Sequence, residues 1–161
     1  MLKPVKTKTN RTSGGRFAIV SSNYNARYVN AMLAAAKTLL QKAGAEKIEV
    51  IRVPGAYEIP VVVAKLARAT SSEFSAIICL GVVLRGATTH AQHITEAVSS
   101  ALMQIQIETE IPVIYEVLLL ENEQQARERC LDKKNNRGTE AAQTALAMAC
   151  VMESLDDETH F

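Results

Sequence analysis

The segment Ala76–Leu84, with the sequence AIICLGVVL, constrains the fold of this chain more than any other stretch. It is almost continuously apolar, as is typical of a strand buried on both faces of a parallel sheet. Such a strand needs helices packed on both of its sides. Shorter apolar runs at Phe17–Ser21, Ile48–Val53 and Pro112–Leu120 predict three further strands.

Helical patterns separate these strands, and the last two helices are divided by Asn135, Asn136 and Gly138. Helices are predicted over Arg27–Ala43, Glu58–Ala69, His90–Glu108, Asn122–Leu131 and Thr139–Leu155. Strands that alternate with helices form right-handed βαβ units. The sequence therefore predicts one α/β domain over residues 16–155, a three-layer α/β/α doubly wound, flavodoxin-like fold with a parallel four-stranded sheet.

Charge is concentrated at the two ends of the chain. Residues 1–15 carry four basic and no acidic groups, and residues 156–161 carry three acidic groups and His160. We expect both segments to be tails outside the domain, the first of them flexible. The remaining basic and acidic residues balance, which does not favour a nucleic-acid partner.

Neither a membrane span nor a secretory signal is predicted, because the longest apolar runs are too short and residues 1–15 lack an apolar core. The three cysteines form no CxxC pair. That pattern favours free thiols in a reducing cytoplasm over disulfides or a zinc site. We therefore expect a cytoplasmic protein without a metal.

Ligands of doubly wound sheets bind at the carboxyl ends of the strands, so the loops there are the candidate site. In the first loop, Tyr24 offers a flat face to a planar ligand, or else covers the core. In the second loop, Pro54 and Gly55 shape a tight turn whose N–H groups can bond a polar heterocycle. Glu58 follows in a first helical turn, where a carboxylate is more often a dipole partner than a catalyst.

The third loop, Arg85–His90, has the composition of an anion site. Gly86 and Ala87 allow close approach, and the N–H groups of Ala87 and Thr88 precede a helix, where phosphate is favoured. The spacing of a Walker loop is absent, and no GxGxxG follows the first strand. The alternative is that Thr88 or Thr89 only caps the helix.

His90 stands beside this loop, and histidine is a residue type suited to proton transfer, although a lone histidine is usually structural. His93 shares its helical face, but two histidines without a third ligand do not predict a metal site. Further on, Arg129 and Lys133 are four residues apart and on a helix could share one anion. The alternative is a solvated basic face formed by Arg127, Arg129, Lys133, Lys134 and Arg137, paired with Glu121, Glu123 and Glu128.

At these residues the chain resembles the 6,7-dimethyl-8-ribityllumazine synthase family of riboflavin biosynthesis, over roughly residues 16–155. The resemblance lies in VPGAYEIP (Val53–Pro60), LGVVLRGATTH (Leu80–His90), IPVIYEVL (Ile111–Leu118) and the pattern from EQQARER to NNRG (Glu123–Gly138). These motifs follow one another in the order and spacing of the family.

The resemblance implies a transferase without a cofactor, acting at the penultimate step of riboflavin biosynthesis. It would condense 5-amino-6-(D-ribitylamino)uracil with (2S)-2-hydroxy-3-oxobutyl phosphate, and release phosphate and water. The 5-amino group would attack the ketone, and phosphate elimination and ring closure would follow. The alternative is a catalytically idle homologue that binds flavin or lumazine, or that forms a shell.

The resemblance also implies roles for individual residues. His90 would transfer protons. Phosphate would be bound by Ala87, Thr88, Arg129 and Lys133. The pyrimidine and the ribityl chain would contact Tyr24, Ala56, Tyr57, Glu58, Val82, Val83, Leu84 and Tyr115. Tyr115 and Arg129 would come from a neighbouring subunit, which implies a homopentamer or a multiple of one. The sequence departs from the family's usual residues at Tyr24, Val82, Ala91, Gln92, Glu116, Leu119 and Leu120.

Overall fold

The computed structural model describes residues 14–70 and 74–158. Its centre is a sheet of four parallel strands in the order β2-β1-β3-β4. The strands are β1 (Arg16–Ser22), β2 (Lys47–Val53), β3 (Ala76–Leu84) and β4 (Val113–Leu120). The predicted doubly wound α/β fold is confirmed, whereas most of the expected N-terminal tail and His160 lie outside the described residues.

Within the described residues, five helices cover the two faces of this sheet. They are α1 (Ala26–Lys42), α2 (Ile59–Ala67), α3 (His90–Thr109), α4 (Glu123–Cys130) and α5 (Arg137–Glu158), with a 3₁₀ turn at Ala56–Glu58 before α2. Helix α5 continues past the predicted end of the domain at residue 155. None of the described helices is both long and apolar enough to cross a membrane.

Strand β3 is buried on both faces, as its sequence predicts. Ile78 and Leu80 belong to the core beneath α1, α4 and α5. Ile77 and Cys79 belong to the core beneath α2 and α3. Alternate side chains of a strand point to opposite faces, so this single apolar run links both halves of the hydrophobic core.

The register of the sheet leaves β3 longer than its neighbour β1. The last β1–β3 pair is Ser21 with Leu80, whereas β3 stays paired with β4 as far as Leu84 and Leu120. The backbone of residues 82–84 therefore has a strand on one side only. This is the switch point between β1 and β3, where a doubly wound sheet opens a crevice.

Gly138 lies in the first turn of α5, and its prediction as a break between helices is wrong. A Cβ atom at this position would lie 2.0 Å from the carbonyl oxygen of Met32 in α1. The break itself is made by Asn136, whose Oδ1 accepts a bond of 2.8 Å from the N–H of Gly138. A glycine suggests a helix end from sequence alone, but here it allows two helix backbones to touch.

A buried ion pair joins β4 to the start of α5. The Nε of Arg137 donates to Oε1 of Glu116 at 2.7 Å, and its second nitrogen lies 2.5 Å from Oε2 of Glu140. Glu116 is buried, and that burial raises the pKa of its carboxyl group, while Arg137 partly offsets the rise. Arg137 is therefore not part of the solvated basic face that one interpretation predicts, although Arg127 does pair with Glu123 on the surface.

Replacing Gly138 with alanine should destabilise the fold, although alanine favours a helix over glycine by about 1 kcal/mol. The added methyl group must push α5 away from α1, and such overpacking costs ~1–3 kcal/mol or more. Urea unfolding measures the change. Gly86→Ala is the control, because no atom lies within 4 Å of a Cβ there. Equal stability of the two variants would contradict the close approach of α1 and α5.

Glu116→Gln should alter how stability depends on pH. A carboxyl group with a raised pKa in the folded state contributes stability that is complete below its ordinary value, about 4.3, and is lost as the pH rises through the raised value. Glutamine does not titrate. The variant should therefore gain stability relative to the unsubstituted protein as the pH rises above the ordinary value of about 4.3.

The measurement for Glu116 is urea unfolding at several pH values, with Glu123→Gln as the matched control. Glu123 is an exposed partner of Arg127, with 64% of its side chain accessible. Exposed ion pairs contribute little, so its stability difference should stay nearly flat with pH. A Glu116→Gln profile parallel to that of the unsubstituted protein would show that burial has not raised this pKa.

Candidate active site

A cavity of about 790 Å³ lies at the carboxyl ends of β1, β2 and β3. It occupies the crevice that the short β1 strand leaves beside β3. The lining residues come from the first and second loops, the last residues of β3 and one face of α3: Tyr24, Asn25, Gly55, Ala56, Tyr57, Glu58, Val82, Val83, Leu84, His90, His93, Ile94 and Ala97. Eight of the thirteen residues proposed from the sequence therefore lie around one cavity.

The first loop is tied to the unpaired edge of β3 by Asn25. This residue has a left-handed backbone with φ of 55°, which asparagine tolerates better than most residues. Its Nδ2 donates to the carbonyl oxygen of Val82 at 2.8 Å. The preceding Tyr24 is 72% exposed, so the alternative that it covers the core is wrong.

Backbone bonds hold the first and second loops together. The N–H of Asn23 donates to the carbonyl of Val53 at 2.8 Å, and the N–H of Tyr24 donates to that of Pro54 at 3.2 Å. Gly55 lies where the loops meet, and a Cβ there would lie 2.9 Å from Oε2 of Glu58 and 3.1 Å from Cδ2 of Tyr24, so one of these side chains would have to shift. The two loops thus fix the backbone of Tyr24, whose exposed ring lines the cavity.

Glu58 has a structural partner within the second loop. Its Oε2 accepts a bond of 2.8 Å from the N–H of Gly55, closing the 3₁₀ turn. Within residues 14–70 and 74–158, its Oε1 has no hydrogen-bonding partner. The interpretation of Glu58 as a partner of the local backbone agrees with this contact, and one carboxylate oxygen remains free toward the cavity.

The third loop runs along the rim between two lining residues, Leu84 and His90. Arg85 attaches it to the end of β4, because its N–H donates to Leu120 at 2.8 Å and its Nε lies 3.2 Å from Oε1 of Glu121. Ala87 and Thr88 are exposed on this loop. Both are thus next to the cavity without lining it.

Neither threonine forms a good cap on α3. Thr89 occupies the N-cap position, but its side chain accepts no bond from the helix. The hydroxyl of Thr88 lies 3.5 Å from the N–H of His90, which is long for a hydrogen bond. The alternative that this loop only caps the helix is therefore weakened. The N–H groups of the first turn stay available to an anion, and the phosphate site remains a prediction.

Two exposed imidazoles line the cavity on the face of α3. His90 is the first residue of the helix and His93 follows one turn later. Neither ring has a hydrogen-bonding partner in the described part of the chain. Gln92 does not orient His90, because its Nε2 donates to Oε1 of Glu96 at 2.8 Å. In the described part of the chain, no group of three or more His, Cys, Asp or Glu side chains is arranged so that it could hold a metal ion.

Three other residues proposed from the sequence do not line this cavity. Tyr115 lies in a groove of about 340 Å³ between α3 and β4. Burial, and then the negative charge of Glu116, raise the pKa of its phenol. Arg129 is exposed on α4. Lys133 follows the end of α4 at Cys130, so the helical pairing of Arg129 with Lys133 is wrong.

Comparison with known proteins gives one consistent result. The family model of 6,7-dimethyl-8-ribityllumazine synthase matches residues 14–153. Proteins of that name from three bacteria are similar to this chain. The sequence identity is 40% for the protein of Desulfotalea psychrophila, 38% for that of Clostridium kluyveri and 39% for that of Xanthomonas euvesicatoria pv. vesicatoria. The similarity covers 89–90% of this chain and 93–94% of the length of these relatives. This chain belongs to the 6,7-dimethyl-8-ribityllumazine synthase family.

Proposed function

We propose that this protein is a transferase that condenses 5-amino-6-(D-ribitylamino)uracil with (2S)-2-hydroxy-3-oxobutyl phosphate. The product is 6,7-dimethyl-8-ribityllumazine, the penultimate compound of riboflavin biosynthesis, and phosphate and water are released. The chain belongs to the matched family, and one observation supports the proposal beyond that. The cavity is lined by an exposed aromatic ring, an unpaired strand edge and an imidazole, and the imidazole lies next to a loop suited to phosphate.

In this proposal the pyrimidine substrate binds between Tyr24 and the end of β3. The exposed ring of Tyr24 can stack on a planar heterocycle. Val82, Val83 and Leu84 supply apolar contact, and their backbone has no strand on the cavity side. Polar atoms of a heterocycle can bond such unpaired backbone groups. A cavity of about 790 Å³ is in the range that holds a small organic ligand.

In this proposal the phosphate substrate binds at the third loop. The N–H groups of Ala87 and Thr88, next to the positive end of the α3 dipole, would bind its phosphate group. Arg129, with Lys133 near it, would complete this site from a neighbouring subunit. Arginine suits that role because its planar fork matches two phosphate oxygens.

His90 lies between these two binding regions, where the bonds change. The 5-amino group attacks the ketone to form an imine with loss of water. Phosphate is then eliminated, the enol that remains rearranges to a ketone, and the second nitrogen attacks this ketone and closes the ring with loss of a second water. Each step moves a proton that an imidazole can carry at neutral pH. Alignment of two substrates can supply ~7–11 kcal/mol, and proton transfer about 10²- to 10⁴-fold in rate.

The reaction itself provides the direct test. The purified protein is incubated with both substrates, and lumazine fluorescence is followed over time. The proposal expects fluorescence to appear together with an equal amount of inorganic phosphate. If the protein at high concentration binds the pyrimidine but forms no product, the transferase hypothesis is contradicted. The alternative of a catalytically idle homologue would then be favoured.

We propose further that the protein is a homo-oligomer, a pentamer or a multiple of pentamers, whose subunits share each active site. One support is that Tyr115 and Arg129 do not line the cavity of their own chain. A second is the outer face of α3, where Met103 and Ile107 are 55% and 70% exposed while Val98 and Leu102 are buried. A helix that is apolar on two faces needs a second partner. A repeated head-to-tail contact closes into a ring when its rotation divides a full turn.

His90→Ala should lower the turnover rate by about 10²- to 10⁴-fold, because the substituted side chain cannot transfer protons. Folding should be unaffected, since the imidazole is exposed and has no protein partner in the described chain. Steady-state kinetics measure the rate, and a thermal melt controls for stability. If the variant has an unchanged turnover rate, His90 does not transfer protons in the reaction, and a structural role is the remaining interpretation.

Arg129→Ala should weaken the phosphate substrate much more than the pyrimidine, with Arg127→Ala as the control on the same helix. Arg127 pairs with Glu123 on the surface and should have little effect. Separate titrations of the two substrates measure this difference. Equal weakening of both substrates would mean that the substitution disturbs the assembly instead of the phosphate site.

Co-expression of the His90→Ala and Arg129→Ala chains tests the shared site. If each site takes His90 from one subunit and Arg129 from its neighbour, a random ring contains about a quarter of intact sites. Activity at a low concentration of the phosphate substrate should recover to that fraction. Activity no higher than the average of the two single variants would place both residues of a site in one chain.

A further inference from the structure

His93 stands out among the cavity-lining residues because the proposed reaction leaves it without a role. It lies on the same face of α3 as His90 and lines the same cavity. Its ring is exposed and has no hydrogen-bonding partner in the described part of the chain. A polar ring turned into an apolar cavity without a protein partner is suited to contact a ligand.

Among the described residues, few polar side-chain atoms that line the cavity lack a hydrogen-bonding partner. Nδ2 of Asn25 is used on the carbonyl of Val82, and Oε2 of Glu58 is used on the N–H of Gly55. The groups left are Oδ1 of Asn25, the hydroxyls of Tyr24 and Tyr57, Oε1 of Glu58, and the imidazoles of His90 and His93. A ligand with many hydroxyl and ring polar groups must therefore use several of these, or remain unpaired at a cost.

The position of His93 along α3 separates its role from that of His90. Three residues correspond to a rise of about 4.5 Å along a helix axis. His90 begins the helix beside the phosphate loop, and His93 lies one turn further from that loop. Ile94 and Ala97 then continue the wall as apolar surface. His93 is thus the last polar side chain on this wall before the cavity becomes apolar.

We propose that His93 is a substrate-contact residue that hydrogen-bonds the ribityl-pyrimidine and sets its affinity, while His90 transfers protons at the reacting atoms. The inference rests on the proposed function for the identity of the ligand. A neutral imidazole has one donor and one acceptor nitrogen, so it can pair with a ribityl hydroxyl or with a ring carbonyl or N–H group. The bond lies away from the reacting atoms, so it acts on binding.

The test compares His93→Phe with His93→Gln in the full-length protein. Phenylalanine keeps a flat ring without polar atoms, and glutamine keeps a donor and an acceptor. Calorimetric titration with 5-amino-6-(D-ribitylamino)uracil alone should show ~5- to 10-fold weaker binding for phenylalanine, the loss of about one hydrogen bond. Glutamine should recover most of that loss. Inorganic phosphate should bind equally to all three proteins, and the rate at saturating substrates should stay within about twofold.

Three results would overturn the inference: equal pyrimidine binding by the phenylalanine variant, equal weakening by phenylalanine and glutamine, or a fall in the saturated rate with affinity unchanged. A thermal melt controls for folding, which should not change at this exposed position. Product formation by the unsubstituted protein tests the reaction separately. A protein that binds pyrimidine through His93 but forms no lumazine would disprove the reaction and keep the contact.

Discussion

Strand β3 continues past the last residue of β1, and the backbone edge that it leaves unpaired is the constraint on which the site depends. Three consecutive residues, Val82 to Leu84, keep β4 on one side and have no strand on the other. Unpaired backbone groups need partners. Asn25 satisfies one of them, the carbonyl of Val82. The remaining edge is open to the cavity, where a heterocycle can take the place of the missing strand.

Rigid attachment of the loops follows from the same arrangement. The first and second loops bond each other through Asn23 and Tyr24, and the third is fixed to β4 by Arg85. None of these contacts uses the atoms that face the cavity. The loops are thus held by their backbones and by outward-facing side chains, so that Tyr24, His90 and His93 remain free for a ligand. Such preorganisation reduces the ordering cost of binding.

In the proposal, some residues of the site come from one chain and others from its neighbour in the assembly. One chain would build the proposed pyrimidine end by itself, because its own sheet brings the lining residues together. At the proposed phosphate end the same chain offers loop N–H groups, the start of α3 and Arg85, which is paired with Glu121. The arginine proposed to neutralise the phosphate lies on α4, outside the cavity. Sharing the site would make catalysis depend on assembly, since an isolated subunit would lack that arginine.

The sequence by itself determined the order of strands and helices, because apolar periodicity is local and β3 has no other stable environment than the centre of a parallel sheet. Its motifs also identified most of the cavity, since parallel strands bring their ends to one edge. Only the tertiary structure decided the contacts between residues distant in sequence. Asn25 meets Val82 fifty-seven residues away, and Arg137 leaves the surface for Glu116 twenty-one residues away. Gly138 is similar: local propensity marks it as a break, but its close contact with Met32 requires a glycine inside the helix.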